Sequence, residues 1–123
     1  MDKKQLMETC NDILKDIQKE MKKQNFEEAI PLLQIFFKQL QVLEDDIDVF
    51  WKDQEIILES IVSKLSGIDT EKLRDVKEII WMLNNIEKCI EELKTYLFFG
   101  RTKEIIQLLW EIRWQLSLVS MKI

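Results

Sequence analysis

Residues 25–43, NFEEAIPLLQIFFKQLQVL, return in altered form at 101–119, RTKEIIQLLWEIRWQLSLV, at a constant offset of 76. Six of these 19 positions are identical, Leu33/Leu109 and Leu40/Leu116 among them, and upstream Leu14/Ile90, Ile17/Leu93 and Met21/Leu97 correspond at the same offset. In both copies the leucines recur every three or four residues, the spacing that keeps side chains on one face of a helix. Each copy follows another stretch of the same period. The expected fold is therefore all-α: a single-domain bundle of about five helices around two antiparallel helical hairpins, 6–43 and 82–119, with a further helix at about 48–65 between them.

Composition agrees. The chain has 123 residues with two Gly and one Pro, too little turn chemistry for a many-stranded protein. The spacing predicts a first helix from Leu6 to Met21, then a turn at Gln24 and Asn25. Asn25 with Glu28 three residues on has the form of a capping box for the second helix. Pro31 lies past that cap, so the helix is expected to begin nearer Pro31 or to kink there. The run Glu44-Asp45-Asp46 opposes a helix C-terminal dipole, which puts a break near 44–48 with Asp46 or Asp48 as the next cap. Ser66-Gly67 supplies a left-handed stop for the third helix. Asp69 or Thr70 then caps a long fourth helix ending at Gly100, placed centrally because Ile79, Trp81 and Met82 widen its apolar surface. A fifth helix spans about 102–121.

Charge narrows the partners. The net charge is −5, and residues 44–59 hold seven acids against Lys52. Such a chain is poorly suited to a phosphate backbone, so nucleic acid is not an expected partner. The candidate acidic surface comprises Glu44, Asp45, Asp46, Asp48 and Asp53, which serve either as a solvated face or as a contact for a basic partner. Cys10 and Cys89 sit among apolar helical positions, and the chain opens with the charged MDKK, so a reduced, cytoplasmic protein is expected. No apolar run approaches the roughly 20 residues of a membrane helix.

Catalytic constellations are sparse. There is no histidine, which removes the commonest general base and metal ligand and rules out Cys–His and Ser–His–Asp catalysis. No cofactor or metal site is expected. Carboxylates at helical spacing, Glu87/Glu91, Asp75/Glu78 and Glu55/Glu59, are the nearest approach to a magnesium site, but Lys88, Arg74, Lys77 and Lys52 beside them give the look of a solvated helix face.

The more informative feature is Ile106, Trp110, Trp114 and Met121, which lie apart from the fifth helix's core stripe of Ile105, Leu108, Leu109, Ile112, Leu116 and Val119. At the equivalent positions of the second helix stand Gln34 and Lys38 in place of Trp110 and Trp114. The shared stripe is read as core, and the tryptophan face belongs to one copy only. Either the third helix covers that face or a partner does. Phe98 and Phe99 are adjacent and cannot both enter one core, so at least one is expected to be exposed. Trp51 beside the acidic run completes the candidate interface.

The stretch QNFEEAIPLL, 24–33, resembles the opening of the second helix of a tetratricopeptide-type hairpin. The turn lacks that family's Gly, the preceding helix lacks its Trp-x-x-Leu-Gly-x-x-Tyr pattern, and the offset of 76 is not its 34-residue period. As a class, the chain also resembles flagellar-type secretion chaperones, short acidic bundles that hold an amphipathic helix. Three functions stay open. The first is a non-enzymatic adaptor or secretion-chaperone-like protein that binds an apolar or basic helix of a partner, or itself as a homodimer. The second is an immunity- or antitoxin-like protein acting through 44–59. The third is a carboxylate–magnesium hydrolase.

Overall fold

Asp2 opens the first helix: its side chain accepts from the Gln5 N–H at 2.8 Å, satisfying an amide with no partner inside the helix. In the computed structural model, residues 2–47, 54–67 and 75–123 are described. Five helices lie among them: α1 (Lys3–Lys22), α2 (Phe26–Asp46), α3 (Gln54–Ser66), α4 (Val76–Phe99) and α5 (Thr102–Lys122). The fold is the all-α bundle that the periodicity dictates.

Several helix ends differ in detail from the expectation. Asn25 does stand at the N-cap of α2, but its side chain makes no capping bond, so the capping box is not formed. The turn is closed instead by Gln24 in the left-handed region, φ 56°, with its N–H bonded to the Met21 carbonyl. The second helix starts at Phe26 and runs through Pro31. Pro31 is exposed, which leaves room for the ring outside the core, while the Glu27 carbonyl loses the amide it would normally meet. Gly67 ends α3 by donating to the Ser63 and Lys64 carbonyls without a positive φ. The left-handed glycine stop is found at Gly100, φ 65°, whose N–H reaches the Leu97 carbonyl. The proposed caps at Asp48, Asp69 and Thr70 lie outside the described residues.

The helices pack as a ring in the order α1, α2, α3, α5, α4, with α4 closing back on α1. Helices α1/α2 and α4/α5 are the two antiparallel hairpins, as the Lys3–Asp46 and Glu78–Lys122 ion pairs across their open ends require. The inner faces fill the ring. Phe36, Met7, Leu14, Ile17 and Leu83 are fully buried, and Ala29/Ile105, Leu33/Leu109, Phe36/Ile112 and Leu40/Leu116 are buried at equivalent positions of α2 and α5. Burial of each such side chain contributes roughly 1.5–3 kcal/mol before ordering costs.

The hairpins meet through α1 and α4, whose seam is partly polar. The Asn11 side-chain amide donates to Glu91, Lys15 pairs with Glu87 at 3.9 Å, and Gln18 donates to Glu87 at 3.2 Å. Shifting Asn11–Glu91 by the 76-residue offset exchanges its two positions for those of Lys15–Glu87. The hairpins are thus related by an approximate two-fold axis between α1 and α4. Only α3 breaks that relation, since it has no counterpart and fills the space between α2 and α5.

Candidate functional site

The exposed face of α5 grows from its periodicity. Ile112 points into the core at 1% exposure, and Trp110 and Trp114, two residues before and after it, fall about 20° either side of the opposite meridian. Their indoles are stacked, centroids 6.0 Å apart and planes within 2°. Trp110 is 48% exposed and Trp114 44%, and Ile106 and Met121 continue the exposed stripe toward either end. Gln107 and Ser117 fill the gaps, so the stripe carries no charged side chain.

The third helix does not cover this stripe. It docks on the flank of α5, where the Ser60 and Ser120 hydroxyls are 2.8 Å apart and Lys64 donates to the Ser120 carbonyl at 2.6 Å. Gln34 and Lys38, the α2 equivalents of Trp110 and Trp114, are exposed as well. The same place in the architecture therefore accepts polar side chains, and the fold does not require tryptophan there.

A second feature lies where the N-terminus of α1 meets the C-termini of α2 and α4. A groove of about 1200 Å³ opens there, with Leu6, Leu43, Val42 and Leu97 as apolar walls and Phe98 and Phe99 on its rim. The two rings stand edge to face at 5.1 Å, both well exposed. Asp2, Asp45 and Asp46 also line it, against Lys3, Lys4 and Lys94. Lys3 is paired with Asp46 at 3.0 Å and Lys94 with Glu91 at 3.1 Å, so the rim is close to neutral. Phe98 and Phe99 thus join the acids Asp45 and Asp46, while Ile106, Trp110, Trp114 and Met121 form a separate face. The contribution of Val42 and Leu97 is not apparent from periodicity, because three helix ends far apart in the chain create the groove.

The acidic surface needs one correction. Glu44 is not on it: the residue is 5% exposed, enclosed where α2, α3 and α5 meet. Burial pushes its carboxyl up to about 7, opposed by a hydrogen bond with the buried Gln54 and by the charge of Arg113. Asp45 and Asp46 are exposed; Asp48, Asp53 and Trp51 lie outside the described residues.

The chain matches no protein-family model, no characterised protein and no solved structure.

Three of the carboxylates at metal-like spacing, Glu78, Glu87 and Glu91, are engaged elsewhere. Glu87 and Glu91 hold α1, and Glu78 binds Lys122 at 2.9 Å. Among the described residues no group of three or more His, Cys, Asp or Glu is placed to hold a metal ion. Cys10 is buried and its thiol pushed up to about 12, Cys89 is partly buried and pushed up to about 11, both chiefly by desolvation, which suppresses the nucleophilic thiolate. Among these residues no helix is long and apolar enough to cross a membrane.

Proposed function

We propose that this protein is a non-enzymatic helical interaction module, an adaptor or secretion-chaperone-like protein of the cytoplasm, which receives an amphipathic helix on the outer face of α5. The observation that carries the reading is the exposed stacked pair Trp110 and Trp114, at positions where α2 has equally outward-facing Gln34 and Lys38. Tryptophan buries a large area with few rotors, and an apolar helix face matches the helix-in-groove mode of recognition.

The test pairs two measurements. The double variant Trp110→Lys, Trp114→Lys should melt within a few degrees of the wild type, and in samples dilute enough to be monomeric acrylamide should quench the emission that the wild type has in excess of the variant. A variant that fails to fold would make these rings core and remove the reading. A second reading, an immunity- or antitoxin-like protein, is favoured by the exposed Asp45 and Asp46 beside Phe98 and Phe99. Salt separates the two, because a complex held through Asp45 and Asp46 weakens as ionic strength rises, and one held through the tryptophans does not.

A further inference from the structure

The α5 stripe is uncharged from Ile106 to Met121, so nothing along its centre selects a basic or an acidic partner. Its ends are different. Arg101 pairs with Glu104 at 3.7 Å at the start of the helix, and Lys122 pairs with Glu78 at 2.9 Å at its end. Glu104 and Lys122 are 18 residues apart, five turns of an α-helix, and therefore share one meridian on the flank nearer α4. Their midpoint is residue 113. The midpoint of Trp110 and Trp114 is residue 112, so the two coincide within about 1.5 Å of helix rise.

That coincidence suits a self-complementary pairing. When two identical helices pack antiparallel about a two-fold axis normal to them, each flank meets the same flank of the copy. An axis through the tryptophan pair therefore sets Trp110 and Trp114 against their own copies and brings Glu104 against Lys122 at both ends. We propose that a second copy of this chain docks on α5 in this antiparallel two-fold arrangement, with Glu104 of each copy beside Lys122 of the other. The proposal rests on the reading of α5 as a binding face and names its occupant.

Each end of the contact then holds Arg101 and Glu104 from one copy with Lys122 and Glu78 from the other, two charges of each sign. Between these ends the flank nearer α4 carries Glu111, which accepts from the Gln115 side chain at 3.1 Å within each copy, and the opposite flank, toward α3, carries Arg113 near Glu44. A standard interface needs roughly 800 Å² from each partner, and the four half-exposed or exposed apolar residues of the stripe supply its centre, with the ion-paired ends as rim.

The experiment is the molar mass by light scattering, across a concentration series, of five proteins: wild type, Trp110→Lys/Trp114→Lys, Glu104→Lys, Lys122→Glu, and the double reversal Glu104→Lys/Lys122→Glu. The wild type should reach twice 14.9 kDa. The tryptophan variant should be a folded monomer. Each single reversal should weaken the dimer about tenfold or more, and the double reversal should restore it. Restoration reports on the contact between copies alone, since within each copy Glu104→Lys sets a second cation beside Arg101 and Lys122→Glu a second anion beside Glu78. A dimer indifferent to the single reversals, or not restored by the double, overturns the proposal. So does a wild type that is monomeric throughout; if the tryptophan variant is then still folded, α5 survives as a face for a different protein, whereas an unfolded tryptophan variant removes both readings.

Discussion

Glu44 shows how far a single residue can depart from its neighbours. Asp45 and Asp46 are solvated, yet Glu44, one position earlier, turns inward against Gln54 and Arg113 because that face of α2 meets α3 and α5. Its folded-state value of about 7 lies above the ordinary 4.5, so burial penalises the ionised form. Stability is therefore fully present below about pH 4.5, falls as pH rises, and is lowest above pH 7. The cost approaches roughly 3 kcal/mol at most, since each tenfold change in proton affinity is worth about 1.36 kcal/mol. Glu44→Gln keeps a partner for Gln54 and removes that cost, so urea melts should show the variant more stable than wild type by about 1–3 kcal/mol at pH 8 and little different at pH 4. Equal pH profiles for the two proteins would exclude Glu44 as the titrating group. Gln24 offers a second case at this scale. A side chain at φ 56° costs about 1–2 kcal/mol, partly offset by the entropy that glycine loses on folding. Gln24→Gly should therefore raise stability by roughly 0.5–1 kcal/mol, and no gain would show that the turn relaxes the strain by other means. Neither effect is legible in the sequence, since one depends on where α3 folds back and the other on turn geometry that Asn25 was equally suited to supply.

Among the elements, α2 and α5 are a controlled comparison made within one chain. Their inner stripes match in position and burial, which is why the helices and most of the core could be read from spacing alone. Their outer stripes match in exposure but not in chemistry. Substitutions should follow the stripe and not the residue's polarity. Ile112→Lys puts an unpaired charge into the ring and should cost more than about 4 kcal/mol, enough to unfold the chain, whereas Trp110→Lys should shift stability by about 0.5 kcal/mol. Circular dichroism melts of the two single variants decide this, and similar losses in both would mean that the outer stripe is core. Pro31 marks another difference, as it interrupts the amide ladder of α2 at an exposed position where α5 has Gln107. Pro31→Ala restores the missing donor to the Glu27 carbonyl and should stabilise the protein by about 1 kcal/mol or more, up to the roughly 3 kcal/mol difference in helix propensity. Trp81 was less legible: it widens the apolar pattern of α4, yet it is 62% exposed, because α4 needs only two sides to pack on α1 and α5.

At the scale of the whole molecule, the repeated hairpins account for four sides of the ring and α3 for the fifth. The groove at the helix ends was illegible because Leu6, Val42 and Phe98 come together only when both hairpins dock. The same dependence makes α3 the closure of the core. It stands between α2 and α5, whose backbones do not approach each other directly among the described residues, and its Ile61 and Leu65 are 0% and 1% exposed. Truncating each to alanine should cost about 2–5 kcal/mol. Together these losses rival the roughly 5–15 kcal/mol that stabilises a typical domain. Whether α1, α2, α4 and α5 persist without the closure depends on what else joins the hairpins. The seam between α1 and α4 is as extensive as the packing inside the α1/α2 hairpin, whereas α3 makes the least extensive contacts of the ring, so the paired hairpins should hold together when α3 detaches. In Ile61→Ala/Leu65→Ala, hydrogen exchange should therefore accelerate more strongly in α3 than in α1 and α4. Equal acceleration in α1, α4 and α3 would instead make the ring a single cooperative unit that α3 closes.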